Sequence, residues 1–262
     1  MFINLIKRTP LTFACTLLVL FFFTSCKTVT PENQDASNLH LQIALGHIQN
    51  QNYPQALREL QIAEQLNPNH PYVQSNLGLV YILRDRNDLA EKFLKKSIQL
   101  KPDFTEAKNN LAHAYIELGR NSEAEALLKD VVSDFTFVDY PTAYINYANL
   151  EFNRQKYTEA IIYAKKAIEG NNSNCFAWLY LGRSYLELNQ YTAALAALEK
   201  ASNLCLAVGT DSAHYYTAIA LYRNKHKDLA KKKFQELIRL FPNGKNFEKS
   251  QQMLNVINKG IL

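Results

Sequence analysis

The segment Trp178–Tyr185, which reads WLYLGRSY, decides the fold of this 262-residue chain. Leu181 and Tyr185 are four residues apart, so on an α-helix they lie on one face and can pack together. Gly182 has no side-chain bulk and Ala194 has little, so two antiparallel helices can approach closely where such residues meet. The segment therefore predicts a helical hairpin whose second helix contains Ala194.

The small residue of the second helix recurs along the chain at a regular interval. Its equivalents, spaced by 34, 34, 36, 34 and 36 residues, are Ala56, Ala90, Ala124, Ala160, Ala194 and Ala230. Proline, which stops a helix, follows three of these helices, at Pro68, Pro102 and Pro242. A period of about 34 with this pattern resembles the tetratricopeptide repeat. The resemblance implies an all-α superhelical solenoid in which each helix pair contacts only its neighbours.

Six repeats and one further helix account for the chain after residue 36. The repeats are predicted at 37–70, 71–104, 105–138, 141–174, 175–208 and 211–244. Residues 245–262 then carry apolar side chains at helical spacing. Because a helix pair cannot bury its apolar face alone, we expect residues 245–262 to form a capping helix that shields the sixth repeat.

Residues 1–25 have the pattern of a secretory signal peptide. Lys7 and Arg8 form a basic start, and an apolar run extends from Leu11 to Phe23. That run is too short to span a bilayer comfortably, but its length suits the core of a signal peptide. We therefore expect residues 1–25 to be removed on export.

The signal segment ends in FTSC, with the cysteine at Cys26. This ending resembles a bacterial lipobox, although Phe23 stands where leucine is usual. The resemblance implies that Cys26 carries a lipid and, with Lys27 next to it, that the chain is exported to the outer membrane. The alternative is an ordinary signal peptide with an incidental cysteine. Residues 26–36 are largely polar, which predicts a flexible tether after the anchor.

Cys175 and Cys205 are the cysteines that lie within the repeats. They fall at the start of the first helix of repeat five and near the end of its second helix. Antiparallel helices bring those two ends together, so a disulfide is geometrically feasible, and export to an oxidising compartment favours it. The alternative is a pair of free buried thiols.

Composition and motifs favour a binding protein over an enzyme. The chain has 29 basic and 24 acidic residues, net +5, and without Lys7 and Arg8 the net charge is about +3, which does not indicate a nucleic-acid partner. No H-E-x-x-H, G-x-S-x-G, P-loop or C-x-x-C motif is present. We therefore predict no catalytic residues, no metal, no cofactor and no small-molecule substrate.

In the tetratricopeptide architecture, the first helix of each repeat lines a concave groove. By analogy with that family, this places apolar and aromatic side chains in the groove, and asparagine recurs there at Asn76, Asn110 and Asn146. An asparagine amide both donates and accepts, so it can satisfy the main chain of a bound peptide. Such a groove suits an amphipathic helix or an extended segment of another protein. Part of this set could instead pack between repeats.

The whole arrangement resembles the type IV pilus biogenesis lipoproteins, the PilF/PilW-type pilotins. The stretches Phe137–Tyr144 and Leu240–Pro242 look like that family's linker and ending. The resemblance implies a non-catalytic protein that faces the periplasm and binds an outer-membrane secretin through its first repeats. The residues it assigns to partner binding are Tyr72, Asn76, Leu79, Ile82, Leu83, Asn110 and Ile116.

Two other functions fit the same features. One is a general periplasm-facing scaffold for cell-wall or outer-membrane assembly complexes. The other is a module that serves an enzyme system such as cytochrome maturation, but such modules usually hang from a transmembrane helix, and none is expected here once the signal is removed.

Overall fold

The computed structural model describes residues 29–259, and this part of the chain contains thirteen α-helices and no strand. The first twelve helices form six consecutive pairs, each joined by a short turn, and α13 follows alone; the predicted all-α tetratricopeptide solenoid is confirmed. The helices are α1 (Pro31–Gln49), α2 (Tyr53–Leu66), α3 (Pro71–Ile82), α4 (Asn87–Leu100), α5 (Thr105–Glu117), α6 (Asn121–Ser133), α7 (Tyr140–Asn153), α8 (Tyr157–Gly170), α9 (Cys175–Glu187), α10 (Tyr191–Val208), α11 (Ser212–Arg223), α12 (Lys227–Leu240) and α13 (Phe247–Lys259). We call the odd-numbered helices α1–α11 inner helices and the even-numbered ones outer helices.

Each pair turns at one residue with a left-handed backbone, with φ between 55° and 74°. These residues are Gln51, Asp85, Gly119, Gln155, Asn189 and Lys225. Their spacings of 34, 34, 36, 34 and 36 residues repeat those of the alanine column. Glycine, asparagine and aspartate tolerate this conformation, so Gly119, Asn189 and Asp85 suit their turns. Gln51, Gln155 and Lys225 accept a conformation that costs an ordinary residue roughly 1–2 kcal/mol. The same turn geometry therefore holds in every repeat although three of the six residues do not favour it.

In two of the described pairs, a glycine of the inner helix faces a leucine of the outer helix. A Cβ atom on Gly182 would lie 2.5 Å from Cγ of Leu198, and one on Gly78 would meet Leu94 at least as closely. Both leucines are fully buried. Gly182 and Gly78 thus allow the two helices to approach closely, because a side chain at either glycine would occupy the space of the facing leucine.

The N-terminal tether is shorter than the sequence predicted. Residues 31–36, expected to be flexible, are the first turns of α1. Thr30 caps this helix by accepting a hydrogen bond from the Asn33 amide at 3.2 Å, and Pro31 occupies its first position. Ser37, just beyond, donates to the Ala63 carbonyl at 2.9 Å. These contacts tie the start of α1 to the first repeat, so the prediction of a tether over residues 26–36 was wrong for its described helical part.

Ion pairs connect neighbouring repeats on the outer side of the array. Glu91 and Glu125 occupy equivalent positions on α4 and α6, and each contacts an arginine of the next repeat. Glu91 lies 2.7 Å from Arg120, and Glu125 lies 2.8 Å from Arg154. Each carboxylate also pairs with a lysine four residues further along its own helix. These groups lie at the surface, so each pair contributes modestly to stability, but together they fix the register of three repeats.

Cys175 at the start of α9 and Cys205 near the end of α10 form a disulfide, with 2.18 Å between the Sγ atoms and 5.2 Å between the Cα atoms. Both residues are buried. The bond closes the open end of repeat five, opposite its turn.

The last helix covers the end of the array. Met253, Leu254 and Ile257 of α13 pack against the cluster that contains the fully buried Phe234 of α12. Within residues 29–259, no helix is long and apolar enough to cross a membrane. The predicted signal peptide and Cys26 lie outside the described residues, as do the last three residues assigned to the capping helix.

Candidate protein-binding groove

Three adjoining cavities form one continuous groove along the inner helices from α1 to α9. Their volumes are about 590, 440 and 420 Å³. The first and second cavities share Tyr72 and Asn76, and the second and third share Leu79 and Asn110. We call this surface the groove. Its length and its mixture of apolar and amide side chains suit a segment of another protein better than a small molecule.

Six of the seven residues assigned to partner binding line the groove. Tyr72 and Leu83 expose about two fifths of their surface, at 43% and 42%. The six residues are Tyr72, Asn76, Leu79, Ile82, Leu83 and Asn110. Four of them lie on α3, Leu83 follows directly after α3, and Asn110 lies on α5, so the six form a single surface at the second and third repeats.

Ile116 does not belong to this surface. It is 2% exposed and packs in the core cluster that contains Leu94 and Leu128. On α5 the inward position is taken instead by the next residue, Glu117, which lines the third cavity. The prediction of Ile116 as a partner-binding residue was wrong because its side chain fills the seam between inner and outer helices.

The amide groups of the groove fall into two classes. Asn76 donates a hydrogen bond through Nδ2 to the Tyr72 carbonyl, one turn earlier, at 2.8 Å, and the Asn76 side chain stays partly accessible to solvent. Asn146 is instead buried, and its Nδ2 donates to Oδ1 of Asn109 at 2.9 Å. Asn146 therefore serves an internal contact between α5 and α7, whereas Asn76 and Asn110 remain reachable by a partner.

Aromatic rings stiffen the N-terminal part of the groove. The rings of Tyr72 and Phe104 meet edge to face with 4.8 Å between centroids. Lys101 donates to the Tyr72 hydroxyl at 2.9 Å, and its Nζ lies 4.9 Å from the centre of each ring. This ring pair therefore gives an exposed tyrosine a defined orientation before any partner binds.

The C-terminal part of the groove contains residues that the partner-binding assignment missed. Glu117 accepts a hydrogen bond from Asn149 Nδ2 at 3.1 Å, and both residues line the third cavity. Tyr180 lines the same cavity, and burial raises the pKa of its hydroxyl above the ordinary range, so the ring stays neutral. Glu117 occupies the position in repeat three that Leu83 occupies in repeat two, so the repeat period could have identified it.

No group of three or more histidine, cysteine, aspartate or glutamate side chains within residues 29–259 is arranged to hold a metal ion.

Comparisons with known families agree with this geometry. Family models described as tetratricopeptide repeat match residues 41–103, 81–137, 141–174, and 176–203 with 212–244. Together these matches span most of the chain. The chain is a tetratricopeptide repeat protein. No curated protein matches this tetratricopeptide protein in sequence.

Solved structures with the same fold include PilF and PilW. PilF of Pseudomonas aeruginosa is 18% identical, with a TM-score of 0.63 over 84% of this chain and 99% of that one. PilW, described as a widely conserved type IV pilus biogenesis factor, is 20% identical, with a TM-score of 0.68 over 81% and 97%. A chain of the Cut9–Hcn1 assembly of the APC/C is 17% identical, with a TM-score of 0.75 over 85% of this chain and 43% of that one. At these identities the similarity shows the fold alone.

Proposed function

We propose that this protein is a non-catalytic, lipid-anchored protein of the outer membrane that faces the periplasm and holds a segment of a protein partner in its groove. We further propose that the partner is a secretin and that the protein promotes secretin assembly or stability in type IV pilus biogenesis. The observation that carries the binding role is the preformed groove, whose accessible part combines Tyr72, Leu79, Leu83 and accessible amides.

The proposed partner follows from two further considerations. PilF and PilW have the same fold over nearly their whole length, and PilW is described as a type IV pilus biogenesis factor. The lipobox-like ending at Cys26 would place the chain at the membrane in which a secretin assembles. Mechanistically, the lipid holds the protein at the membrane while the groove covers an apolar segment of the secretin monomer until the monomers oligomerise.

A general scaffold for cell-wall or outer-membrane assembly is the second candidate. A chain of the Cut9–Hcn1 assembly has a TM-score of 0.75, beside 0.63 for PilF and 0.68 for PilW. Similarity of fold therefore does not separate this candidate from the first.

The deciding experiment uses a strain that lacks the gene and follows the detergent-resistant secretin multimer in outer-membrane extracts. The pilus proposal expects the multimer to disappear while the monomer persists, and expects the wild-type gene but not Cys26→Ala to restore it. An unchanged multimer in the deletion strain would remove the secretin proposal and leave the general scaffold.

A matched pair of variants tests the groove itself. Leu83→Asp places a charge on a groove residue that is 42% exposed, and Ile162→Asp places the same charge on outer helix α8 at a residue that is 50% exposed. Both changes should leave the fold intact because both side chains already contact water. Only Leu83→Asp should abolish rescue, and equal rescue by both variants would show that the groove does not bind the partner.

A further inference from the structure

The link between repeats three and four exposes two apolar side chains to water. Helix α6 ends at Ser133 and α7 begins at Tyr140, so six residues connect them, whereas the other links between the six repeats have four or three. Phe135 and Val138 of this link are 99% and 90% exposed, and we call these two residues the tip. No other large apolar side chain within residues 29–259 exposes more than 60% of its surface. The longer link therefore presents a pair of apolar side chains that the fold leaves uncovered.

Hydrogen bonds and one buried ring hold this link in a defined shape. Asp134 accepts hydrogen bonds from the Thr136 amide at 2.9 Å and from the Thr105 hydroxyl of α5. Phe137 is 7% exposed and packs against Val131 of α6. The two tip residues flank this buried ring in the sequence, so the outward position of the tip is set by the link and does not need a partner to form.

The link that carries the tip borders both the groove and an acidic hollow. Asp139 lines the second groove cavity. Asp134 lines a hollow of about 360 Å³ together with Asp103 and Asp130. The basic residue of this lining, Lys108, is paired with Asp130. The tip is thus apolar at its end and negatively charged at its border.

This charge decides which kind of partner suits the tip. Apolar side chains that enter a bilayer surface are usually accompanied by lysine and arginine, which anionic lipids attract, and here carboxylates stand in that place. A second copy of this chain suits the tip no better, because the third cavity of its groove contains Asp85 and Glu117, and like charges would meet. The tip instead complements a protein surface on which an apolar pocket has lysine or arginine at its border.

We propose that the tip docks into an apolar pocket with a basic border on the protein partner whose segment lies in the groove. This inference rests on the proposed function and adds a second contact on the same partner, beside the second groove cavity. A phenylalanine that is exposed and already positioned loses little freedom on binding, so it suits the role of an interface anchor.

Site-specific photo-cross-linking in cells that carry the full chain tests the docking. The photoreactive residue p-benzoylphenylalanine replaces Phe135 in the tip, Tyr72 in the groove, or Ile162 on outer helix α8, which is 50% exposed and serves as the control. Mass spectrometry then identifies each attached molecule. We expect the same protein to be attached from Phe135 and from Tyr72 but not from Ile162, and its attachment site for Phe135 to be an apolar pocket beside lysine or arginine.

Two sets of variants test the chemistry of the tip. Phe135→Ser combined with Val138→Ser should lower the cross-link yield from Tyr72 roughly tenfold. The melting temperature should not change, because both side chains already contact water. Asp103→Lys should lower the yield as well, whereas Glu159→Lys, an equivalent reversal of an exposed charge on α8, should not.

Four results would overturn the proposal: attachment of phospholipid or of a second copy of this chain from Phe135, attachment of different proteins from Phe135 and Tyr72, no attachment from Phe135, or a yield that neither set of variants changes. The outcome also separates the tip from the proposed function. If one protein other than a secretin is attached from both positions, the docking tip stands and the secretin proposal falls. If a secretin is attached from Tyr72 alone, the secretin proposal stands and the docking tip falls.

Discussion

Removal of the disulfide between Cys175 and Cys205 tests how repeat five is held together. The bond joins residues 30 positions apart. The loop-closure entropy that such a cross-link removes from the unfolded chain corresponds to about 3.6 kcal/mol at 25 °C. The double change Cys175→Ala with Cys205→Ala is the appropriate variant because a single change would leave one buried thiol without its partner. We expect the free energy of unfolding to fall by roughly 3–4 kcal/mol.

Urea unfolding followed by circular dichroism measures this loss, and hydrogen exchange locates it. Because a repeat contacts mainly its neighbours, protection should fall most in α9 and α10. Adding a reductant to the wild-type protein should reproduce the loss, and adding it to the double variant should change nothing, which is the control for effects of the reductant itself.

Thiol labelling in denaturant, mapped by mass spectrometry, provides the refuting result. Cys175 and Cys205 should be labelled only after reduction. Equal labelling before and after reduction, or a double variant as stable as wild type, would show that the two residues are free buried thiols and that the calculated cross-link entropy does not apply.

Three further changes test packing and charge. Gly78→Ala should destabilise the protein by about 1 kcal/mol because the cost of overpacking against Leu94 exceeds the gain in helix propensity. Gly46→Ala, with open space around the added methyl group, should instead stabilise the protein by up to about 1 kcal/mol. Thermal unfolding measures both variants, and equal effects would contradict the close approach of α3 and α4. Hydrogen bonds from Lys129 and Arg154 lower the pKa of Glu125 from 4.5 to about 2, so its contribution to folding stability is complete above pH 4.5 and is lost as the pH falls towards 2. Glu125→Gln should make the melting temperature depend less on pH over that interval. An unchanged pH dependence would argue against the inter-repeat ion pairs. Phe234→Ala should cost about 3–5 kcal/mol and expose the amides of α13 to exchange, because this fully buried ring supports the capping helix; retained protection of α13 would show that other contacts hold it.

The outline of the fold could be read from a few residue types at a fixed period. The alanine column and the Leu-Gly pattern predicted six helix pairs because a close helix crossing tolerates only small residues, and that requirement is local to each pair. The left-handed turn residues keep the same period although five of them are not glycine, so the spacing rather than the turn sequence carried the information.

The first turns of α1 show that a polar composition does not by itself make a segment disordered. Thr30 and Pro31 begin α1 in the structure, whereas the polar composition of residues 26–36 predicted a flexible tether. Ordering comes from contacts with residues far away in sequence, such as Asn38 with Nε2 of His70 at 2.8 Å. Such contacts have no local pattern, so only the assembled repeats reveal them.

For the groove, too, the sequence predicted one part of the arrangement and only the tertiary structure revealed the other. The repeat register, read by analogy with the tetratricopeptide family, placed Tyr72, Leu79 and Leu83 in the groove, and the structure shows them accessible there. Whether an inward position is open or buried depends on the neighbouring helices, and this is why Ile116 lies in the core. Arg183 on α9 likewise contacts the rings of Phe152, Tyr180 and Tyr216, which lie on α7, α9 and α11. These contacts join three repeats, so they became visible only when tertiary packing brought the three helices together.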